Sequence, residues 1–225
     1  MLRTFRASLL IRLLVALPWW FGCSQATPDY LPLAAGHWGY FQLDTNIRGE
    51  PHQQRLMVVN LRATGAATLQ QAGGTRRTLL RTATGITLAT PDSASLPILL
   101  LPQHLALGTH WSIKSTLQLV ESRTFAAEDK LIGKRLPVQL TATVVGLEDV
   151  VVSPAGVFKH CLHLKLTGKT SVRADRGHAI AEIDVAHEEW YAPAVGLVRV
   201  TRTESSTSSF LVTGRYLQTL LEFQN

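Results

Sequence analysis

The sequence predicts an all-β domain: an antiparallel meander that forms a curved sheet, half-barrel or barrel, with at most one short helix. Segments rich in β-branched, aromatic and other apolar residues recur about every 8 to 15 residues, about a dozen in all. Gly- and Pro-containing turns separate them. Only residues 125–134, with Ala, Glu and Lys, favour a helix. The 225 residues, 46% of them hydrophobic, fit one domain with a sizeable core.

Residues 1–23 have the layout of a secretory signal: an Arg-containing start, a short apolar run and then small residues. The apolar run, 13–21, is far shorter than the roughly 20 residues that cross a bilayer. Gly22-Cys23 resembles the end of a bacterial lipoprotein signal, which implies a lipid anchor on Cys23. With Ser24 next, the resemblance implies the periplasmic face of the outer membrane. The alternative is cleavage after Ala26, which would release a soluble periplasmic protein.

Charge and cysteine content exclude some classes of protein. Removing Arg3, Arg6 and Arg12 of the leader from the 22 basic residues leaves 19, against 16 acidic ones. This mild excess, without a dense basic run, predicts no nucleic-acid partner. The two cysteines are Cys23 and Cys161, so a lipidated or removed Cys23 leaves no intrachain disulfide. The predicted partners are the membrane, through the anchor, and a lipid or an envelope protein.

The mature chain divides into a tether at residues 24–32 and a single β domain at residues 33–225. The tether is predicted from the two prolines that it contains. The domain starts with predicted strands at 39–48, 54–62, 66–71, 76–84 and 86–90, and further strands follow at 96–101, 111–120 and 138–144. The last strand, or pair of strands, is predicted at 210–223.

A Leu-Pro…Gly…His-Trp pattern occurs twice, ending at Trp38 and at Trp111, and each copy precedes a predicted strand. We expect Gly36 and Gly108 to supply an unusual backbone angle. We expect the two tryptophans to plug an end of the sheet. The alternative is an aromatic ligand site.

The segment 148–199 contains most residues that could form an active site. Pro154-Ala155-Gly156 predicts a tight turn. Strand periodicity then places Phe158, His160, Leu162, Leu164 and Leu166 on one face and Lys159, Cys161, His163 and Lys165 on the other. Residues 167–177 are predicted to be a polar loop, and residues 179–191 to be the returning strand. Pairing of the two strands would set a Lys/His face against an acidic face.

Two neighbouring residues in this segment are candidate metal ligands. Cys161 and His163 are two residues apart on one predicted face, whereas His160 points the other way. His187 or Asp184 of the returning strand could complete a mixed site. A buried thiol with hydrogen-bonded histidines is the favoured interpretation, because no Cys-x-x-Cys pattern supports a metal. The prediction is no metal and no cofactor.

A second candidate is the acidic group Glu182, Asp184, Glu188 and Glu189, because paired carboxylates can hydrolyse glycosidic bonds. A solvated strand face opposite lysines is the favoured interpretation. The sequence has neither a Gly-rich phosphate loop nor a Gly-x-Ser-x-Gly elbow, and no second His follows His187-Glu188-Glu189 at metalloprotease spacing. The prediction is therefore that the protein is not an enzyme.

Three turn motifs resemble those of uncharacterised bacterial envelope lipoproteins. They are Tyr30-Leu31-Pro32-Leu33…Gly36-His37-Trp38, then Pro154-Ala155-Gly156…Phe158, and Glu189-Trp190-Tyr191-Ala192-Pro193…Val195-Gly196-Leu197-Val198. This chain has Leu31, Ser153 and Ala194 where that pattern has Phe, Val and Gly. The resemblance implies an exported, mostly antiparallel β protein similar to the half-barrel lipoprotein carriers. It implies no catalytic residues.

The functional hypothesis is an exported, non-enzymatic lipoprotein that binds a lipid, a peptide or a partner protein on a curved sheet. The aromatic residues predicted to contact a ligand or to fill the core are Trp38, Trp111, Trp190 and Tyr191. The alternative is a cell-envelope glycan hydrolase that uses the carboxylates of the Glu182–Glu189 strand.

Overall fold

A computed structural model describes residues 28–46, 53–61, 66–71, 74–89, 97–122, 136–173 and 180–224. These residues form fourteen strands and no helix. The strands are β1 (Trp38–Thr45), β2 (Gln53–Leu61), β3 (Ala66–Gln71), β4 (Arg76–Thr82), β5 (Gly85–Leu88), β6 (Ile98–Pro102), β7 (His110–Thr116), β8 (Glu121–Ser122), β9 (Pro137–Ser153), β10 (Gly156–Arg173), β11 (Ile180–Ala192), β12 (Gly196–Ser205), β13 (Leu211–Val212) and β14 (Gly214–Gln224). The predicted leader at 1–23 and the helical segment at 125–134 lie outside the described residues.

Twelve strands form one antiparallel sheet in the order β6-β5-β4-β3-β2-β1-β14-β12-β11-β10-β9-β7, and β13 pairs with β8 separately. The prediction of an all-β, antiparallel, curved sheet is confirmed. Pairing of β1 with β14 joins the N-terminal meander to the C-terminal one. The sheet remains open within the described residues, because β6 and β7 stand at its two edges. No helix in these residues is long and apolar enough to span a membrane.

Two apolar clusters hold the sheet together. The main one is built on alternate residues of the long strands, among them Leu140, Leu162, Leu164 and Ile183, each at most 1% exposed. Burial of one such side chain contributes about 1.5–3 kcal/mol. A smaller cluster lies where the hairpin turns meet and contains Phe41, Val151, Phe158, Cys161, Ala192, Val198 and Leu220.

β10 is longer than the sequence predicted. Residues 167–173, expected to belong to a polar loop, continue the strand and pair with β11 as far as Arg173. Thr167, Lys169, Ser171 and Arg173 lie on the exposed face, while Val172 on the other face is 4% exposed and joins the main cluster. Gly168 fits here because a Cβ atom would lie 2.3 Å from the carbonyl oxygen of Gln139. The polar residues of 167–173 therefore belong to one face of a strand, not to a loop.

An irregular pairing in β10 overturns the predicted assignment of faces for residues 158–161, whereas Leu162, Leu164 and Leu166 are buried and Lys165 is exposed as predicted. The register with β9 shifts between Phe158 and Cys161, and His160 has φ of 55°, in the left-handed region. Lys159 and His160 are both exposed, and Phe158 and Cys161 are both buried. A β-bulge of this kind inserts an extra residue, so strict period-two alternation cannot continue through it.

The segment before β1 packs onto the sheet earlier than expected. Tyr30, which the prediction placed in the tether, is 7% exposed and belongs to the main cluster together with Leu33. The packed chain thus begins near Asp29. The expectation for the repeated glycines is confirmed, since Gly36 has φ of 88° and Gly108 has φ of 81° in the turns before β1 and β7.

Candidate functional site

A cavity of ≈ 530 Å³ lies on the inner face of the sheet. Residues from β1 to β7, β9 to β12 and β14 line it, so the two meanders curve toward each other around a shared space. The segment before β1 contributes Leu31, Leu33 and His37. The volume is within the range of about 300–1,000 Å³ that is typical of small-molecule pockets.

The cavity has an apolar wall and a polar wall. The apolar wall comes from β3 to β6 and comprises Leu69, Leu79, Leu88, Ile98 and Leu100, and Gln71 and Arg77 of the same strands also line the cavity. The polar wall comes from β11, β12 and β14 and comprises His187, Glu189, Tyr191, Arg202 and Gln218. The inward direction of these polar groups follows from strand register, because Leu166 and Leu164 of β10 lie opposite His187 and Glu189. One end of a ligand would therefore contact hydrocarbon, and the other would contact hydrogen-bonding groups.

Glu189 is the centre of the polar wall. Its carboxylate accepts hydrogen bonds from His187 Nε2 at 2.8 Å and from the Tyr191 hydroxyl at 2.7 Å. Burial pushes the pKa of Glu189 upward, but the bonds from His187 and Tyr191 and the charge of Arg202 leave it below its ordinary value. Burial together with the adjacent Glu189 charge raises the pKa of Tyr191 well above its ordinary value. The pair thus stays as an ionised carboxylate and a neutral phenol at neutral pH.

His187 offers one ring nitrogen to a ligand. Because the ionised Glu189 can only accept, His187 Nε2 must carry a proton. Nδ1 is buried and has no hydrogen-bond partner among the described residues. The ring is 11% exposed and borders the cavity. Nδ1 accepts a hydrogen bond from a ligand when the ring is neutral and donates one when the ring is charged.

Arg202 connects the polar wall to a buried network of ion-pair and hydrogen-bond contacts. Its guanidinium lies 2.8 Å from the carboxylate of Glu204, which is 0% exposed, and donates to the Thr116 carbonyl at 2.7 Å. Glu204 in turn accepts the backbone N–H groups of Gln118, Leu119 and Val120 at 2.7–3.2 Å. The pair holds the chain after β7 against β12 and fixes Arg202 at the cavity.

The charges at the cavity come from a few side chains. Arg202 is paired with the buried Glu204 at 2.8 Å, and Glu189 accepts bonds from His187 and Tyr191. Lys114 lies between Ile113 and Ser115 of β7, which face inward, so its side chain points outward. Arg77 of β4 shares the inward face of Leu79 and is the other cation of the described lining. It favours a negatively charged head group over a positively charged one.

Two solved structures have a distant likeness to this chain. One is of a lipoprotein candidate from Parabacteroides distasonis, with 13% identity, a TM-score of 0.43, and coverage of 89% of this chain and 100% of that chain. The other is of an exported-protein candidate with a YmcC-like fold from Bacteroides fragilis, with 11% identity, a TM-score of 0.43, and coverage of 88% and 100%. No family model matches this chain, and no curated protein does. Neither likeness assigns a site residue here.

The residues proposed as metal ligands are not brought together. Cys161 is buried in the smaller cluster, and burial raises its pKa to about 11, with Asp149 adding to the rise and a Val151 backbone hydrogen bond opposing it. Metal binding needs a thiolate, which this environment disfavours. His163 instead stacks on Trp190 at 4.3 Å and lies 3.0 Å from Asp149. The described residues contain no group of three or more His, Cys, Asp or Glu that could hold a metal ion.

The four carboxylates of β11 are also separated. Glu182 and Asp184 point to solvent, where both contact Lys169 at 2.9 and 3.0 Å. Lys169 belongs to the segment that was predicted to be a loop, so these ion pairs differ from the predicted ones, which involved residues 159–165. Glu188 lies 3.6 Å from His163 on the same face. Glu189 is on the opposite face, in the cavity, because neighbouring strand residues alternate in direction.

The four predicted aromatic residues have different surroundings. Tyr191 lines the cavity. Trp111 packs against the main cluster, and Trp38 donates to Gln224 Oε1 at 2.7 Å. Trp190 lies on the outer face, between His163 and the Arg199 guanidinium, 6.0 Å from its ring centre.

Sequence reasoning missed His187, Arg202, Glu204 and Gln218 as inner-face residues. The period-two pattern of the strand could have indicated them. Residues 181, 183 and 185 are apolar and share one face, and His187 and Glu189 continue that face with polar side chains. In β12, Val198 and Val200 likewise precede Arg202 and Glu204. Polar residues that continue an apolar face indicate either a buried network or a binding site.

Proposed function

We propose that this protein is an exported, non-enzymatic lipoprotein of the bacterial envelope that binds a lipid in the cavity. The ligand is an amphiphile with an acyl chain and an anionic head group. The chain lies against the apolar wall, and the head group lies near His187 and Arg202. Binding of a peptide or an envelope protein, which the sequence leaves open, is less well supported by an internal space of ≈ 530 Å³.

The single observation that carries this proposal is the division of the cavity into an apolar and a polar wall. Aliphatic side chains of four strands face a space that the described residues do not fill. Water there gains few hydrogen bonds from the apolar wall, so its displacement by an acyl chain is favourable. The polar wall then sets the orientation of the ligand.

Binding can be tested with a fluorescent fatty acid on the purified mature chain. Leu100→Lys places a charge in the apolar wall, and we expect it to weaken binding by about tenfold or more, because a charge in apolar surroundings is costly. Leu107→Lys is the matched control, since Leu107 is 68% exposed and lies outside the cavity lining. Equal affinities of the two variants, both shown to be folded by circular dichroism, would refute the binding site.

Head-group preference can be tested by displacement of the same probe. A fatty acid should displace it more strongly than the alcohol of equal chain length, because Arg77 adds a positive charge to the cavity face besides the paired Arg202. Arg77→Ala should reduce this difference, and it should fold normally because Arg77 is exposed. If the variant prefers the acid as strongly as the parent does, Arg77 is excluded as a head-group contact.

The membrane anchor is a separate part of the proposal. The leader supports lipidation of Cys23 and sorting to the periplasmic face of the outer membrane. Cells that are fed radiolabelled palmitate should label the parent chain and not a Cys23→Ser variant. A soluble, unlabelled periplasmic product that begins at Thr27 would instead establish cleavage after Ala26.

A glycan hydrolase acting through the β11 carboxylates is not proposed. Such an enzyme needs two carboxyl groups on either side of one bond, about 5–9.5 Å apart. Glu182 and Asp184 contact Lys169 on the outer face, and Glu189 lies in the cavity on the inner face.

A further inference from the structure

Part of the β9–β10 hairpin extends beyond its neighbours as a two-stranded ribbon. β9 pairs with β7 up to Thr143, and β10 pairs with β11 from Leu162 onward. Residues 145–161, here called the ribbon, therefore pair mainly with each other. The bulge at His160 allows this ribbon to bend onto the end of the sheet, because no described strand flanks most of its length on either side.

One face of the ribbon is packed and fixed. Val151 and Phe158 are buried in the smaller cluster, and the Phe158 ring meets Phe223 edge-on at 5.8 Å. Arg199 of β12 donates to the Val152 carbonyl at 2.8 Å. The ribbon is consequently held in place, and its other face is presented in a defined direction.

The other face of the ribbon is apolar and exposed. Val150, Val152 and Val157 are 60, 61 and 61% exposed. Val152 and Val157 are direct cross-strand partners, and Val150 is two residues from Val152, so the three share one face. Lys159 follows Val157 on that face and is exposed. Three valines lie on this protruding ribbon, with Lys159 on one side and the exposed Glu148–His160 pair on the other. Such a cluster of exposed valines is more typical of an interaction surface than of a solvated one.

The chain leaves the domain toward Cys23 close to this ribbon. The Asp29 carbonyl accepts a hydrogen bond from Ala194 in the β11–β12 turn at 2.8 Å. The Tyr30 hydroxyl donates to the carbonyl of His160 in the ribbon at 3.4 Å. Only six residue steps separate Asp29 from Cys23, which limits the distance between them to about 20 Å.

We propose that the outward face of the ribbon, formed by Val150, Val152, Val157 and Lys159, inserts into the interfacial layer of the phospholipid bilayer beside the anchor. The inference rests on the lipidation of Cys23 proposed above. A lipid on Cys23 keeps the end of the sheet that carries the ribbon within about 20 Å of the bilayer. Valine side chains then gain an apolar environment, and Lys159 reaches the phosphate layer.

The experiment uses the lipidated full chain in phospholipid vesicles. Val152→Cys and Ile180→Cys variants are each labelled with an environment-sensitive fluorophore, while Cys161 stays unlabelled because it is buried and protonated. Ile180 is the matched control: it is 78% exposed and lies at the far end of β11, about 40 Å along the strand from the β11–β12 turn. Lipids with a quencher attached near the head group report contact.

We expect the fluorophore at position 152 to shift its emission to the blue and to lose at least half of its intensity to the quencher. At position 180 both signals should equal those in water. Equal signals at the two positions in a chain that carries radiolabelled palmitate would overturn the membrane contact and leave the anchor intact. Absence of the palmitate label would overturn the anchor itself, and the inference with it.

A second set of variants tests the valines directly. In the lipidated chain with the fluorophore at position 152, Val150→Ser/Val157→Ser should reduce the blue shift and the quenching by several-fold, whereas Ile180→Ser should leave both unchanged. Binding of the fluorescent fatty acid in the cavity should be retained by both, which shows that they are folded. Unchanged signals in the double variant would contradict the proposal.

Discussion

Glu204 shows how much of this structure depends on a single buried charge. It is 0% exposed, is paired with Arg202, and accepts three backbone N–H groups of the chain after β7. Burial of an ion pair is costly, but removal of one partner leaves the other unpaired in a low dielectric. The Glu204 carboxylate is therefore required for stability and, through Arg202, for the shape of the polar wall.

Glu204→Gln should lower the free energy of unfolding by about 3 kcal/mol, as expected when one partner of a buried pair is removed. Its amide group would face N–H donors and the Arg202 guanidinium, where only an acceptor fits. Urea unfolding followed by circular dichroism measures the effect. Glu182→Gln is the control, because Glu182 is 61% exposed and its pairing with Lys169 is screened by water. A similar midpoint for both variants would contradict the assigned role of Glu204.

At the scale of an element, the β11–β12 turn contains a strained residue. Ala194 has φ of 60°, in the left-handed region that favours Gly. A residue with a Cβ atom costs about 1–2 kcal/mol in this conformation, whereas Gly adopts it readily. The backbone of this turn also holds the N-terminal segment, through the bond from Ala194 to Asp29.

Ala194→Gly should raise the melting temperature by about 2 °C. The relief of about 1–2 kcal/mol exceeds the roughly 0.5–1 kcal/mol by which Gly favours the unfolded chain, and a net gain near 1 kcal/mol shifts a domain of this size by about 2–4 °C. Ala155→Gly in the β9–β10 turn is the control, since Ala155 has no positive φ and packs against the smaller cluster. We expect this change to lower the melting temperature. Calorimetry decides, and a lower value for Ala194→Gly would be inconsistent with strain at this turn.

Elements were predictable from the sequence wherever one face of a strand was apolar and the other polar. The strand at 138–144 and the returning strand at 179–191 correspond to parts of β9 and to β11. The prediction was wrong at 167–173 because the inner positions of that part include Gly168 and Thr170, which have little apolar signal. It was wrong at His160 because a bulge leaves no mark in a period-two pattern.

At the scale of the molecule, the curved sheet was predictable but the cavity was not. Each wall combines residues that lie far apart in the chain, such as Leu69 with Leu100 and His187 with Gln218. Their meeting depends on the pairing of β1 with β14, which no local pattern reports. The four acidic residues of β11 were predicted to share one surface because they lie close together in the sequence. Strand alternation instead sends Glu189 inward and Glu182 outward.

The same buried groups set the response of the whole molecule to pH. Glu189 has a folded-state pKa below its ordinary value, so its stabilisation is present above about pH 4.5 and is lost as the pH falls through the folded value. Cys161 has the opposite behaviour: burial raises its pKa from 9.0 to about 11, so stability is retained below pH 9 and falls as the pH rises toward 11. Tyr30 and Tyr191, whose pKa values are also raised, add to the loss above pH 10.

We therefore expect urea midpoints to be flat between about pH 5 and pH 8 and to fall on both sides. Cys161→Ala should reduce the slope between pH 9 and pH 10, where the unfolded thiol ionises and the folded one does not. Tyr191→Phe should reduce the slope above pH 10. It should also make the loss of stability in acid smaller than in the parent, because one of the hydrogen bonds that lower the pKa of Glu189 is gone. Each variant is compared with the parent at pH 7 to correct for lost packing. If the urea midpoint falls with pH above pH 9 equally in the parent and in both variants, these buried groups do not govern the loss of stability.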